Sequence, residues 1–460
     1  MRIAVVGGGI TGLAAAFELA VAGPAVDVVV LEASDRIGGK ILTTPFAGHP
    51  VDAGADAFLA RHPAGVTLAR EIGLADRLVS PAERSALVVV DGELRPLPAE
   101  TLLGVPTDLD AVGRSGLLSP AGIERAAHDP GPPLVDGDDA AIGDVVRQRL
   151  GDEVLDRLVG PLVGGINAGD PDRLSVRATT PQLAAAAAHR NMIEGAREVR
   201  SAASAGDPGA PVFYSFPDGM GELVAALAGR LPGIRTDTAA MGIEPGPVGW
   251  RVATPRGVLD ADSVLLAVPA PAAAELIGPL DHDAATLLAG IDYASVVLVT
   301  LALAADAITR PLDASGFLVP RRERRLMTAC SWASSKWAHL RGVPDDPVIV
   351  RVSAGRAGDD RAIDMDDESL VNRLLGELDD VVAVDREPLE VRVTRWPGSF
   401  PQYHVGHLER VAEIESALAA AAPGLTVAGA ACRGLGVPAC IDQGRRAARA
   451  TLTALAAARS

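Results

Sequence analysis

The chain has 460 residues, a formal net charge of −17, 48% hydrophobic residues and 3% aromatic residues. This length predicts two or three domains with a sizeable core. The acidic balance argues against nucleic acid or an anionic membrane as a general partner, and we expect any membrane contact to be at most peripheral. Met1 leads directly into a predicted strand, so we expect no signal peptide. No apolar run approaches the ~20 residues that cross a membrane, so we expect a cytoplasmic protein.

Cysteines and histidines form no pattern of metal ligands. The three cysteines, Cys330, Cys432 and Cys440, include no C-x-x-C pair. The eight histidines include no H-x-x-x-H pair near carboxylates. The sequence therefore predicts free thiols and no metal site.

A strand, a glycine turn and a helix open the chain. The strand is predicted over residues 2–6 and the helix over residues 13–22, with glycines at 7, 9 and 12 in the G-x-G-x-x-G spacing. Gly7 permits the tight turn, Gly9 lets the backbone approach a pyrophosphate, and Gly12 lets the helix pack on the strand. The helix N-terminus directs free N–H groups and a positive dipole end at the phosphates. The pattern predicts a dinucleotide site.

An acidic residue follows at the expected distance. A second strand over residues 27–31 ends at Glu32, 20 residues after the third glycine, where a carboxylate is expected to bind the ribose hydroxyls of an adenine dinucleotide. Arg36 and the Gly38-Gly39 pair follow directly. This arrangement resembles the second fingerprint of FAD-dependent oxidases of the glutathione-reductase-like superfamily. The resemblance places Arg36 and the two glycines beside the diphosphate and favours FAD over NAD.

Helix and loop patterns alternate through the next part of the chain. Helices are predicted over residues 63–72 and, from apolar residues at helical spacing, over 142–158. A hairpin is predicted over residues 86–94. Residues 160–170 are so rich in glycine that we expect them to be non-helical and to approach a ligand closely. Residues 201–210 are small and polar enough to form a loop.

The second half of the chain is rich in predicted strands. Residues 261–269 form a buried strand that proline ends, and residues 425–429 form another that leads to a glycine turn at 434–438 and a helix at 441–457. Between them lie predicted strands of a second sheet, at residues 296–303, 316–320, 326–332 and 348–353. A strand, a glycine turn and a final helix repeat the order of elements at the start of the chain.

Six motifs spread along the chain resemble the protoporphyrinogen/coproporphyrinogen oxidase family of haem biosynthesis. They are GGGITGLAAA at residues 7–16, GGINAGD at 164–170, FPDGMGEL at 216–223, LMTACSWASSKW at 326–337, SFPQYHVG at 399–406 and GLGVPACIDQG at 434–444. The resemblance runs from end to end. It implies non-covalently bound FAD and a porphyrinogen substrate, oxidised to the porphyrin in three two-electron steps with O2 as acceptor and H2O2 as product.

The resemblance also implies an α/β fold of the amine-oxidase/p-hydroxybenzoate-hydroxylase type. It combines a glutathione-reductase-like FAD-binding Rossmann domain, built from discontinuous segments, with a mixed β-sheet substrate domain and a mostly helical domain. The expected FAD-binding domain covers residues 1–75, 213–275 and 405–460. The helical domain covers residues 97–200, and the substrate-binding domain covers 76–96 and 276–404.

The resemblance assigns site residues by motif, and no catalytic residue among them, because the cofactor carries the chemistry. The implied FAD contacts are Gly7, Gly8, Gly9, Ile10, Thr11, Gly12, Glu32, Ala33, Arg36, Gly38, Gly39, Lys40, Gly54, Ala55, Asp56, Ala57, Ala240, Trp396, Leu435, Gly436 and Val437. The implied substrate contacts are Leu162, Gly165 and Phe317, with Arg61 and His62 as candidates for substrate carboxylates. Core packing is the alternative for Leu162 and Phe317, and an exposed loop is the alternative for Arg61 and His62.

The physiological substrate is the main open choice. Family members from Gram-positive bacteria, whose high-G+C branch this composition suits, act on coproporphyrinogen III, whereas others act on protoporphyrinogen IX. We expect coproporphyrinogen III. Ala86 stands where some relatives carry an arginine for a substrate carboxylate, so carboxylate recognition is expected to differ. An amine-oxidase-type flavoenzyme and a non-catalytic FAD-binding protein are the alternatives, and a downstream haem-pathway enzyme is an expected partner.

Overall fold

A five-stranded parallel sheet, here called the nucleotide sheet, contains the first strand of the chain. The computed structural model describes residues 1–23, 25–135, 137–203, 211–342 and 346–457. In spatial order, the strands of the nucleotide sheet are Ile234–Arg235, Asp27–Leu31, Arg2–Val6, Ser263–Leu266 and Leu425–Val427. All neighbours in this sheet run parallel. The strands therefore come from three widely separated parts of the sequence, as predicted for a dinucleotide-binding fold.

Helices cover both faces of the nucleotide sheet, because successive side chains of each strand point to opposite faces. Ile3 and Val5 pack into one core, and Ala4 and Val6 pack into another. The helices on the first face are Ile10–Val21, Pro63–Glu71, Gly221–Ala228 and Val437–Ala457. The helices on the second face are Ala270–Ile277, His282–Ala289 and His407–Ala421. Burial on both faces explains why these strands are apolar throughout rather than alternating.

A seven-stranded sheet, here called the large sheet, forms the second framework. In spatial order its strands are Glu390–Pro401, Tyr293–Leu303, Val348–Ala354, Met327–Ser331, Gly316–Leu318, Leu87–Val90 and Glu93–Pro96. One pair, Gly316–Leu318 with Leu87–Val90, is parallel and the rest are antiparallel. One face packs on the helix Asp367–Val382, where Leu370, Leu374 and Leu378 are fully buried. The other face is open to the site described below.

Helices dominate residues 109–203. They are Leu109–Ser115, Pro120–His128, Ile142–Leu150, Asp152–Val154, a π-helical turn at Leu155–Val159, Gly160–Asn167, Val176–Thr179, Pro181–Ala187 and Met192–Ala203. The predicted continuous helix over 142–158 is interrupted at Gly151, whose φ of +92° ends the first segment. The domain boundaries given above stay a prediction.

The glycine-rich run at residues 160–170 is helical over Gly160–Asn167, so the prediction that it is non-helical is wrong. Close packing explains the glycines. A Cβ on Gly160 would lie 2.8 Å from Leu155 O, and one on Gly165 would lie 3.0 Å from Leu318 Cδ2. Tertiary contacts here override the low helix propensity of glycine.

Smaller antiparallel sheets complete the structure. They pair Thr43–Phe46 with His49–Asp52, Phe58–Leu59 with Phe213–Tyr214, Thr101–Leu102 with Val105–Pro106, and Gly242–Pro245 with Trp250–Thr254 and Gly257–Ala261. Most of the loop predicted at residues 201–210 lies outside the described residues. Within the described ranges, no helix is both long and apolar enough to cross a membrane.

Candidate active site

The first glycine turn, residues 7–12, leaves an open space at the start of a helix. Gly7 has a φ of +105°, and its N–H donates to Leu31 O at 2.8 Å. A Cβ on Gly12 would lie 1.9 Å from Gly7 O, which explains the glycine there. A Cβ on Gly9 would meet only Gly39 Cα, at 4.0 Å. The helix Ile10–Val21 begins after Gly9 without a side-chain cap, so its first N–H groups face this space.

Glu32 and the Gly38-Gly39 pair lie beside this turn. The Glu32 carboxylate accepts hydrogen bonds from Gly8 N at 2.8 Å and from Ser34 N at 2.9 Å. Gly38 forms a parallel β-bridge with Gly9 and has a φ of +101°. The structure thus brings the predicted ribose-binding carboxylate and both glycine fingerprints together. Ala33, the neighbour of Glu32, is exposed.

A second helix start, the closing turn at residues 434–437, meets the first. The helix Val437–Ala457 packs along the helix Ile10–Val21, and a Cβ on Gly444 would lie 2.2 Å from Thr11 O. The Gly434 N–H donates to Tyr403 Oη, and Gln443 Nε2 donates to Gly434 O, both at 2.9 Å. A Cβ on Gly436 would meet only Pro438 Cδ, at 4.0 Å. Tyr403 and Gln443 belong to the quoted motifs, but the sequence did not indicate their contacts with this turn.

Residues 53–57, here called the flavin segment, continue from the first turn towards the large sheet. Ala55 N donates to Lys40 O at 3.2 Å, and a Cβ on Gly54 would lie 2.1 Å from the same oxygen. Trp396 Nε1 donates to Ala53 O at 2.9 Å. The Lys40 side chain is exposed, and partial removal from water lowers its pKa.

Arg36 also reaches the large sheet. Its Nη2 donates to Gly39 O at 2.9 Å, and its guanidinium lies 5.9 Å from the centre of the Trp396 ring. Ala240 lies in the loop before the strand Gly242–Pro245, packed against the core on the second face of the nucleotide sheet. Thr238 N, two residues earlier, donates to Glu32 O at 2.8 Å. Ala240 is thus close to the end of the second strand, where the adenine is expected.

The Asp56 side chain is paired with other side chains of the protein, and the predicted contact of its segment with the cofactor stays a prediction. Its carboxylate lies 2.9 Å from Lys336 Nζ and 3.0 Å from Arg351 Nη1, and Trp337 Nε1 donates to it at 3.4 Å. Burial alone would raise the pKa of Asp56, but the two cations hold it well below its usual range. The Asp56 carboxylate is therefore paired within the protein. Lys336 is one of only two lysines in the chain. Its rarity could have marked it as a candidate site residue, but sequence reasoning did not assign it to the site.

Beyond the flavin segment, one stretch of the open face of the large sheet carries uncharged side chains. A cross-strand row on this face joins Thr394, Leu298, Ser353, Ala329 and Leu318, all of them half-buried. Half-buried side chains in the middle of a sheet indicate a cleft above them. We call the space between this row and the helix Gly160–Asn167 the cleft.

The predicted substrate residues divide between the cleft and other places. Leu162 is half-buried and Gly165 is exposed, on the helix that packs against Leu318. Phe317 lies on the opposite face of the sheet, 2% exposed, with its ring 6.1 Å from that of Trp332. This core position corresponds to the alternative raised for Phe317, and it leaves Leu318 on the cleft side.

The two basic candidates lie at the start of a helix. Arg61 is exposed, and His62 is half-buried. His62 Nδ1 accepts a hydrogen bond from Ala64 N at 3.4 Å and caps the helix Pro63–Glu71. The described structure gives Arg61 and His62 no contact with the cleft residues named above, so their role in binding carboxylates stays a prediction.

The two helix N-termini fit the diphosphate of FAD, because the positions that face it, Gly9 and Gly436, have room in front of them. Glu32 fits the adenine ribose, and the flavin segment leads from the diphosphate region to the cleft. Among the residues that the structure describes, no group of three His, Cys, Asp or Glu side chains could hold a metal ion. Fold and site together define a flavin-dependent oxidoreductase.

The chain belongs to the family of flavin-containing amine oxidoreductases, whose sequence profile matches residues 10–452. It is 35% identical to a coproporphyrinogen III oxidase of Bacillus subtilis, over 99% of this chain and 98% of the relative. It is also 35% identical to a coproporphyrinogen III oxidase of Mycobacterium leprae, over 97% of both chains. These relatives confirm the predicted family, and FAD is the cofactor.

Solved structures give the same fold. A crystal structure from Exiguobacterium sp. 255-15, described as a protoporphyrinogen oxidase, superposes with a TM-score of 0.87 and 32% identity over 98% of this chain and 99% of that one. A putrescine oxidase superposes with a TM-score of 0.71 at 17% identity, over 98% of both chains, and supports the fold alone. The predicted fold class is confirmed.

Proposed function

We propose that this protein is an oxygen-dependent coproporphyrinogen III oxidase that forms coproporphyrin III in haem biosynthesis. The observation that carries the proposal is identity of 35% over 99% of the chain to a relative with that name. FAD held at the two glycine turns and Glu32 would supply the two-electron oxidation of a bridge carbon of the macrocycle, with O2 as the final acceptor and H2O2 as the product. Three such rounds remove the six electrons that separate porphyrinogen from porphyrin.

The side chains that line the cleft support this proposal. Leu298, Ala329 and Leu318 present an apolar floor, and Leu162 lies on the helix that faces it. Apolar walls exclude water from the reacting carbon and bind a flat macrocycle by burial of its faces. The cleft-facing row from Leu298 to Leu318 contains no acid or base. We therefore propose that the chain binds and orients the substrate and that no side chain acts as a general base.

The substrate preference is tested by comparing coproporphyrinogen III with protoporphyrinogen IX. We expect a higher kcat/KM for coproporphyrinogen III with purified protein, measured by porphyrin fluorescence under air. An equal or reversed ratio would favour protoporphyrinogen IX, the alternative that the Exiguobacterium structure suggests by its description. Amines such as putrescine should give no H2O2. A cytoplasmic location and transfer of product to a later haem-pathway enzyme are parts of the same proposal.

A further inference from the structure

A group of buried charges lies behind the flavin segment and is unused by the chemistry above. Asp56 is paired with Lys336 and Arg351, as described, and Arg351 Nη2 also donates to Gly54 O at 2.6 Å. Arg392 completes the group of cations, with Nη1 donating to Thr44 Oγ1 at 2.6 Å and Nη2 donating to Val51 O at 3.2 Å. These groups all contact the flavin segment or the hairpin that leads into it. We call them the ion cluster.

The register of the large sheet explains how two arginines come together here. Arg351 and Arg392 lie on the two strands that flank Tyr293–Leu303, and both are opposite Thr300. All three side chains therefore point to the same face, the face that carries the cleft. The side chain of Arg351 is 7% exposed, and that of Lys336 is 15% exposed. The cations are thus held close to the flavin segment and largely out of water.

At the flavin segment the ion cluster pairs two cations, Lys336 and Arg351, directly with one carboxylate, Asp56. Farther from the segment, Arg392 is opposed by the carboxylates of Asp52 and Glu390. Asp52 accepts hydrogen bonds from the Thr43 hydroxyl and from Met220 N. Burial raises the pKa of Asp52 to about 6, so part of its charge is absent in mildly acidic solution. Buried charges that are only partly compensated are costly for stability, so packing alone does not account for this arrangement.

We propose that Lys336 and Arg351 are positioning residues for FAD, which fix the backbone of the flavin segment and favour the reduced flavin through their net positive charge. Two-electron reduction with uptake of one proton adds one negative charge to the flavin ring. A nearby buried cation stabilises that charge more strongly than it stabilises the neutral oxidised ring. The proposal depends on FAD binding at the site described, but not on the identity of the substrate.

The two residues are expected to contribute differently. Lys336 reaches the flavin segment only through the Asp56 carboxylate, so its main contribution is charge. Arg351 also binds the backbone oxygen of Gly54, so its contribution includes the conformation of the segment. Removal of Lys336 should therefore change the ratio of reduced to oxidised bound flavin more than it changes the affinity for oxidised FAD. Removal of Arg351 should change both quantities.

The test measures the ratio of reduced to oxidised protein-bound flavin in the absence of oxygen. The flavin is held in equilibrium with a dye of known reduction potential. In Lys336→Met the ratio of reduced-FAD to oxidised-FAD affinity should fall about tenfold, equivalent to about 30 mV for a two-electron couple. Lys336→Arg should restore the ratio. Asp56→Asn, which removes the opposing charge, should raise it by a similar factor. Arg386→Met removes a cation from an exposed surface pair with Asp306 and serves as control, with no change expected.

Affinity for oxidised FAD is measured in parallel, by fluorescence titration of the apoprotein. We expect a loss of about tenfold in Arg351→Met and less than about threefold in Lys336→Met, because only the first removes the bond to Gly54. Opposite shifts of the ratio in Lys336→Met and Asp56→Asn support the proposal, because a structural defect would move both variants the same way. An unchanged ratio in both variants, or shifts of the same sign, would overturn it. Neither outcome depends on turnover of a porphyrinogen, so the proposed function is tested separately.

Discussion

Gly9 and Gly39 lie in close backbone contact at the edge of the first glycine turn, where a Cβ on Gly39 would lie 3.2 Å from Gly9 Cα. A Cβ on Gly9 would come no closer than 4.0 Å to Gly39 Cα. Gly9 also has a φ of −72°, which any L-residue adopts. Glycine at this position is therefore not required by the fold of the turn. Glycine at this position preserves room at the start of the helix Ile10–Val21, where the FAD diphosphate is expected to bind.

This relationship predicts that Gly9→Val folds but does not hold FAD. The isopropyl group fills the space in front of the helix N-terminus, and we expect affinity for FAD to fall by about 100-fold or more. The thermal unfolding temperature of the apoprotein should stay close to that of wild-type apoprotein. Flavin absorbance per protein after purification and differential scanning calorimetry measure the two quantities.

Gly12→Val is the matched control for that experiment. Its Cβ would lie 1.9 Å from Gly7 O, so the strand and the helix must separate. We expect little folded protein. A Gly9→Val protein that keeps wild-type flavin content would show that the diphosphate lies elsewhere.

The closing turn depends on one hydroxyl group. Tyr403 Oη donates to Ala430 O and accepts from Gly434 N at 2.9 Å. Tyr403→Phe leaves both backbone groups without this partner, and we expect about 1–3 kcal/mol lower free energy of unfolding. Because Gly434 begins the closing turn, affinity for FAD should also fall several-fold in a fluorescence titration. Tyr293→Phe, which removes a bond from Ala270 N, should lower stability by a similar amount without weakening FAD binding.

Comparable losses of FAD affinity in Tyr403→Phe and Tyr293→Phe would contradict this account of the closing turn. Equal losses would mean that general stability controls FAD binding, with no separate contribution from this contact.

Asp52 gives a prediction of pH dependence. Its pKa is about 6 in the folded protein because of burial, above the value of 3.8 for an unperturbed aspartate. The folded state therefore binds the proton more tightly, and free energy of unfolding is lost as pH rises from about 4 to about 6. A shift of this size corresponds to roughly 3 kcal/mol. Asp52→Asn imitates the protonated side chain and avoids that loss.

Urea unfolding of wild type and Asp52→Asn at several pH values measures this effect as a difference. The variant should match wild type near pH 4 and become more stable by up to ~3 kcal/mol near pH 7. The difference removes contributions from other groups, such as His407, whose pKa is lowered to about 4 by burial and whose effect has the opposite sign. A stability difference that does not vary with pH would rule out a raised pKa at Asp52.

The helical region depends on a buried arginine. Arg149 is 2% exposed, pairs with the Asp129 carboxylate and donates to the carbonyls of Ala187 at 2.9 Å and His189 at 3.0 Å. Arg149→Met leaves Asp129 buried without its cation, and we expect about 3–5 kcal/mol lower free energy of unfolding. Urea denaturation followed by far-UV circular dichroism measures the change.

Arg147→Met provides the comparison for Arg149. Its side chain is 40% exposed and pairs with Asp152 and Asp172 at the surface, so a loss of no more than about 1 kcal/mol is expected. If both variants lost the same stability, the buried pair would have no special role.

Local patterns predicted the dinucleotide fold well, because its determinants are close together in sequence. The glycines at 7, 9 and 12 and the carboxylate of Glu32 lie within one strand–turn–helix–strand unit, and their spacing fixes their geometry. The fold class followed from the motifs of the resemblance. The glycine-rich helix at 160–167 was missed because contacts with distant residues, not local propensity, stabilise it.

Contacts between segments that are distant in sequence account for the features of the site that local patterns did not predict. Phe317 and Leu318 differ by one position in a strand, and only the register of the large sheet decides which of them faces the cleft. The ion cluster joins the flavin segment to Lys336 and Arg351 through contacts that span 280 and 297 residues of sequence. No local pattern predicts such a pairing.

The most direct test of the proposed function mixes purified, FAD-loaded protein with coproporphyrinogen III in the absence of oxygen. We predict that the flavin absorbance near 450 nm bleaches as coproporphyrin fluorescence appears, and that air restores the absorbance with release of H2O2. A flavin that stays oxidised in the presence of excess coproporphyrinogen III would contradict the proposed function.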